Sequence, residues 1–336
     1  MQKEFKGRII FSDNYQATID NIKLVQKSFG ENARIIKSLI ESDIESKNSE
    51  IKVIAGYSEK SKIAFDALKK IKIKNLSAYD ESILELNSLE GKVRCIVHCL
   101  VIQNELEYIP AAYVTLKFYT KSSIINSSSN EFSDIIRTNN MPRDINKEYT
   151  EERKYFLSLA SPKNTLIFID GPMFSGAATA GNFLLIDQLL KEDTRPVFFV
   201  KNSASTKITE SFSYAKGYNS DLHWAYSTLK TGEYTPVYSY SSDGRGKAMC
   251  FMKIFKNRSP IRIEFPLDAF LEGYYGEDVF DSIYYQFLAN GSESNVQPRI
   301  IQVAEMYARE ILKSTNLYKE IERLGLTKSM NETRGF

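Results

Sequence analysis

Apolar positions along the chain follow two different periods. From about 15 to 48 they recur at helical spacing, with Ile19, Ile22, Leu24, Val25 and Phe29 ahead of Gly30, and a second helical stretch is predicted over roughly 59–71. From about residue 75 the period becomes that of strands. "NLSAYDESILEL" and "KVRCIVHCLVI" read as two strands joined by a hairpin at "NSLEG", and "AAYVTLKFYT" reads as a third. The polar "KSSIINSSSNEFSD" that follows is predicted to be a surface loop. Then come a short helix in "TEERKYFLSLA", a buried strand in "TLIFID", a helix in "ATAGNFLLIDQLLK" and another buried strand in "RPVFFVK". A helix around 220–230, a hairpin through 247–265 turning at "KNRSP", and two helices near 277–289 and 299–313 close the pattern. No internal repeat is visible.

Three strands in hairpin succession, followed by helix, strand, helix and strand, predict an α/β fold: a mixed sheet flanked by helices. That is the element order of ribonuclease H-like proteins. The expected division is an N-terminal helical region at 1–74, a ribonuclease H-like domain at 75–315 and a C-terminal tail at 316–336. Fold order alone does not specify chemistry.

Composition narrows the picture modestly. A hydrophobic fraction of 43%, with 20 Tyr and 20 Phe, is that of a globular protein with a substantial core. No apolar run is long enough to cross a bilayer, and "MQKEFKGRII" has no hydrophobic signal core, so the expected location is the cytoplasm. Cys95, Cys99 and Cys250 do not form a metal-type framework and fit reduced, buried thiols. The formal net charge of +2 excludes a polycation that grips nucleic acid by bulk charge, while a local basic groove remains compatible with it. No Walker-type loop is present, so the chain itself is not expected to hydrolyse ATP.

The acids carry more information. Asp80 lies within the first strand, in "SAYDES"; Glu152 lies on the helix after the third strand; Asp170 ends "LIFID" just before Gly171. Taken singly, each has a bland reading: Asp-Gly is a favoured turn pair, and acids favour helix N-termini. Taken together, acids on the first strand, the following helix and the fourth strand can converge. Glu148 and Glu151 compete with Glu152. Phe156, Leu159 and Ala160 mark an inner helix face, and stepping four back from Phe156 leads to Glu152, with Glu151 rotated away by about 100°.

At these residues the chain resembles the NurA family of DNA-repair nucleases. "AYDES" stands for the strand that opens the family's catalytic domain, Glu152 for its helical Glu, and "LIFIDG" for its strand ending in Asp-Gly. "VFFVKNSAS", "SDLHWAYSTLKTGEYTP" and "SPIRIEFP" follow in order, so the resemblance covers roughly 75–315. Two positions depart from the pattern. Glu81 stands where the family usually has Gly, and "QPRIIQVAEMYA" offers Gln297 for a Tyr and Glu305 for a helical His.

The resemblance implies a metal-dependent nuclease in which Asp80, Glu152, Asp170 and Glu305 hold Mn²⁺ or Mg²⁺, with two ions expected. Such hard cations prefer oxygen ligands, and a carboxylate can replace imidazole as a donor. Lys201, at the end of "VFFVK", is the candidate phosphate contact. The resemblance also implies DNA as substrate, a homodimer, and a HerA-type hexameric ATPase as partner, serving end resection or defence against phage. Asp221 reads as a helix N-cap, and His98 and His223 as structural residues.

Overall fold

Two tight hairpins generate the centre of the molecule in the computed structural model. It describes residues 12, 14–24, 50–57, 59, 61–63, 76–104, 107–123, 134–174, 179–242 and 245–323. β3 (Leu76–Asn87), β4 (Lys92–Asn104) and β5 (Glu107–Thr120) pair antiparallel in succession. At the first turn, Ser88 and Gly91 close the loop with a 2.8 Å backbone hydrogen bond. β7 (Thr165–Asp170) runs parallel to β3 on its other side, and β8 (Thr194–Val200) runs parallel to β7. The resulting order, β5-β4-β3-β7-β8, is the ribonuclease H-like mixed sheet that the element order predicts.

Further strands extend it. β1 (Ile51–Val53) pairs with β10 (Tyr238–Ser242), which pairs with β11 (Arg245–Met252), then β12 (Ile261–Pro266), then β8. β6 (Ile135–Arg137) lies parallel to β5 at the other edge, and β2 (Ser61–Lys62) joins through β9 (Glu233–Tyr234). The helix expected over 59–71 therefore meets a strand at Ser61–Lys62, and residues 64–71 lie outside the described residues. Of the helix expected over 15–48, residues 15–24 are helical and 25–48 lie outside the described residues. Most of the loop expected at 121–134 lies outside them too.

Helices cover both faces, so the central strands are apolar on both sides. One core joins Ala78, Val97, Cys99, Phe168 and Phe199 to Ile301, Ala304 and Ala308 of the Arg299–Ser314 helix. The opposite core joins Tyr79, Leu100, Ile167, Ile169 and Phe198 to Phe156 and Leu157 of the Met141–Ala160 helix and to Leu185 and Leu189 of the Thr179–Lys191 helix. The Met141–Ala160 helix starts nine residues before the apolar period announces it. Asn140 caps it by accepting the Arg143 N–H, and Pro142 occupies its first turn. Leu159, expected on the inner face, is 73% exposed; Ile145, Glu152, Arg153, Phe156 and Leu157 face inward instead. Cys95, Cys99 and Cys250 are buried free thiols.

Candidate active site

Strand alternation decides which acids meet. Asp80 lies two residues beyond Ala78, and Asp170 two beyond Phe168, so both point to the face covered by the Arg299–Ser314 helix. Glu305 lies on that helix, one position after buried Ala304. Asp80 accordingly feels both other acids. Burial first, then the charges of Glu81, Asp170 and Glu305, push its carboxyl up to about 8 from an ordinary 3.8, against a hydrogen bond from the Glu81 N–H.

Asp170 is held on both oxygens. Oδ1 accepts the Gly171 N–H at 3.1 Å, and Oδ2 pairs with Lys201 Nζ at 2.8 Å. Gly171 has φ +99°, a left-handed backbone that favours glycine, and its N–H also reaches the Phe199 carbonyl at 2.9 Å. The turn and the acid are thus parts of one arrangement. Glu305 accepts from Gln297 Nε2 at 3.0 Å and pairs with Arg309 one helical turn on. Gln297 and Glu305, which both depart from the family pattern, therefore touch each other. Gln297 is 1% exposed, and its Oε1 has no hydrogen-bond partner among the described residues.

Glu152 is not brought to these acids. Its helix packs on the opposite face, where Glu152 is buried between Lys117 (Nζ–Oε1 2.8 Å), Thr115 (3.1 Å) and His98 (3.5 Å). Burial pushes its carboxyl up, but hydrogen bonds from His98 and Lys117 and the Lys117 charge outweigh that and hold it below the usual range. His98 itself is fully buried, and its Nδ1 lies 2.7 Å from the Tyr79 hydroxyl. Glu148 also pairs with Lys117, and Glu151 is exposed beside Lys147. Glu81 points to this face too, accepting from the Tyr149 hydroxyl at 2.7 Å. Asp221 caps a neighbour rather than its own helix. It accepts the Ile208 and Thr209 N–H groups at 2.9 Å, while Ser220 caps the Asp221–Thr228 helix.

Among the described residues, no group of three His, Cys, Asp or Glu is arranged as a ready metal cage. In chemistry the set Asp80, Asp170 and Glu305 nevertheless fits a hard divalent cation. All donors are carboxylate oxygens, and Asp80, raised first by burial, is raised further by the negative charge of Glu81, Asp170 and Glu305, which such a cation would offset. Sequence reasoning passed over Glu81 as a contributor to that charge, and over Tyr149 and Lys117 as partners of acids. Nothing in the local pattern signals either partnership.

A ribonuclease H-like sheet with acids on adjacent central strands, Asp80 within β3 and Asp170 at the end of β7, defines a class of α/β protein that gathers carboxylates on one face of the sheet. The model of the NurA domain matches residues 102–310, more than half of the chain, and the chain belongs to that family. Glu152, Asp170, Lys201 and Glu305 fall inside the match, and Asp80 precedes it. Among solved structures, the NurA nuclease from Sulfolobus solfataricus superposes with a TM-score of 0.51 at 11% identity, over 93% of this chain and 99% of that one. A NurA structure with manganese gives 0.45 at 8% identity, over 89% and 96% of the respective chains. Endonuclease V from Bacillus subtilis gives 0.40 at 9%, over 76% and 91%. No curated protein matches the chain significantly.

Proposed function

We propose that the chain is a divalent-metal-dependent DNA nuclease, hydrolysing phosphodiester bonds on the face where Asp80, Asp170 and Glu305 gather. The observation that carries this reading is that acids from three separate elements, Asp80 on β3, Asp170 on β7 and Glu305 on the Arg299–Ser314 helix, lie on the same side of the sheet, where burial first, and then the charges of Glu81, Asp170 and Glu305, lift the Asp80 carboxyl to about 8. Asp80, Asp170 and Glu305 would hold Mn²⁺ or Mg²⁺, and such ions, when bound, supply positive charge for activating water and for stabilising a departing oxygen. Glu152 remains a candidate only as an indirect contributor through its buried partners. Gln297 orients the Glu305 carboxylate, and Lys201 orients Asp170 while offering an ammonium to a nearby phosphate.

DNA is the substrate this reading favours, with end resection or defence against phage as the setting. A HerA-type hexameric ATPase would be the motor partner, and a homodimer the working form. The absence of a Walker-type loop from the sequence supports a separate motor. Near-neutral net charge supports it as well, since few phosphate contacts give weak, salt-sensitive binding. No helix among the described residues is long and apolar enough to cross a membrane, and the cytoplasm is the proposed location.

The test is end-labelled DNA incubated with purified protein and Mn²⁺, with and without the ATPase. Folded Asp170→Ala protein should not cleave; normal cleavage by that variant would overturn the assignment. A second reading, a non-cleaving structural partner of the motor, is favoured by the Lys201 ammonium paired to Asp170 and by Gln297 on Glu305. Absence of cleavage by the wild-type protein on both DNA and RNA, alone and with the motor, would select it. Cleavage of RNA in preference to DNA would reassign the substrate.

A further inference from the structure

Behind the candidate site lies a second polar cluster, outside the acids discussed so far. Glu264 on β12 is 0% exposed, and its carboxylate forms ion pairs with Lys247 on β11 and, at 2.9 Å, with Arg262. Both cations are buried as well, and Lys247 Nζ lies 4.9 Å from the centre of the Phe174 ring. Such a cluster is a weak device for stability alone, because dehydrating the charges offsets much of their attraction, and apolar residues of similar volume often serve as well. Its hydrogen bonds point elsewhere. Glu264 Oε2 accepts the Met173 N–H at 2.8 Å, three residues beyond Asp170. The Met173 carbonyl in turn accepts from Asn182 Nδ2 at 3.0 Å. Arg262 donates from Nη1 to Ser203 Oγ, two residues beyond Lys201. The Asp170–Lys201 pair therefore stands at the root of two loops that are both tied to one buried carboxylate.

We propose, resting on the nuclease reading above, that Glu264 is a positioning residue for the candidate site. Through Met173 it fixes the loop after Asp170, and through Arg262 and Ser203 it fixes the loop after Lys201. It thereby sets how the acid and the cation face each other. Register places it well for this. Glu264 pairs with Phe198 and Arg262 with Val200 on β8, while Asp170 pairs with Phe199 from the other side. Lys247 and Arg262 keep the carboxylate oriented toward the Met173 N–H. The anchor and the Asp170–Lys201 pair thus flank the end of the same strand.

The test compares Glu264→Gln, Ser203→Ala and a control, Tyr275→Phe, which removes a buried hydrogen bond from the Tyr275 hydroxyl to the Pro196 carbonyl. Two readouts apply to folded protein: amide hydrogen exchange, and Mn²⁺ binding by titration calorimetry. In Glu264→Gln, amides of 171–174 and 201–206 should exchange at least tenfold faster, and Mn²⁺ affinity should fall at least tenfold. Ser203→Ala should loosen 201–206 only. Tyr275→Phe should lower the melting temperature while leaving both loops and Mn²⁺ affinity unchanged. Unchanged loop exchange in Glu264→Gln, or loosening spread evenly over the whole sheet, overturns the proposal. If Glu264→Gln does not fold, Ser203→Ala decides by the same loop readout. If the wild-type protein binds no Mn²⁺, the metal-dependent nuclease reading fails, while loop exchange still decides the anchoring.

Discussion

Neutralising Asp80 should stabilise the metal-free protein. Its carboxyl sits at about 8 in the folded chain, raised first by burial and then by Glu81, Asp170 and Glu305, against 3.8 ordinarily. Between about pH 4 and 8 the folded state therefore keeps a proton that the unfolded state releases. Stability from this group is highest in acid and falls as pH rises through that window. At pH 7 the gap from the ordinary value is about three pH units, which at 1.36 kcal/mol each gives a ceiling of about 4 kcal/mol. Relaxation around a half-buried group reduces this, and a gain of about 2 kcal/mol for Asp80→Asn is expected. The amide oxygen of that variant can still accept the Glu81 N–H that Asp80 Oδ1 accepts at 2.8 Å, so little is lost in exchange. Urea denaturation in EDTA at pH 5, 6, 7 and 8 measures it. The wild-type protein should lose stability across the series and the variant should lose less, so the advantage of the variant grows with pH. Mn²⁺ should then stabilise wild type more than the variant. A variant less stable than wild type at pH 7, or parallel pH profiles, would refute the argument that crowded acids burden this face.

Two further substitutions separate the faces of the sheet. Glu152→Gln removes the charge facing Lys117 and buried His98, and should cost about 2 kcal/mol at pH 7, less than an isolated buried pair because Glu148 still faces Lys117. Because the Glu152 carboxyl is held below 4.5, its contribution is present above that pH and is lost as pH falls further; the acid limb of the denaturation profile should therefore flatten in the variant, and a change in Mn²⁺ affinity larger than about threefold would contradict the placement. Lys201→Met removes the ammonium 2.8 Å from Asp170, and should raise Mn²⁺ affinity severalfold in calorimetry while lowering cleavage; a fall in Mn²⁺ affinity would show that Lys201 does not compete with the ion.

The central sheet was legible because its strands are long and bounded by turns: β3, β4, β7 and β8 stand out as apolar runs or alternations in "NLSAYDESILEL", "KVRCIVHCLVI", "TLIFID" and "RPVFFVK". β1 and β2 were not, because strands of three and two residues exist only by pairing with β10 and β9, more than 170 residues away. Glu152 shows a subtler limit. Helical period correctly sends it inward four residues before Phe156, and the side chain is buried. Period cannot say which face of the sheet the helix covers. In "LSAYD", Ala78 and Tyr79 are both fully buried, on opposite faces, so the strand is apolar on both sides and gives no hint of where Asp80 points.

The same ambiguity hid Glu264. In "IRIEFP" the charges alternate with Ile261, Ile263 and Phe265, a pattern that ordinarily describes a strand with one wet face. Here that face is dry: Arg262 is 8% and Glu264 0% exposed. A buried alternation of charges needs a partner from elsewhere, and Lys247 supplies it from the adjacent strand, where it pairs in register with Pro266. The polar-apolar pattern records side-chain direction, but not what later folds over the polar side. In this chain Met173 and Phe174, just after Asp170, lie against that side: Met173 donates its N–H to Glu264, and the Phe174 ring centre lies 4.9 Å from Lys247 Nζ. Charges that look like solvent contacts in the sequence become, once that loop is in place, the means by which the strand-end acid is held.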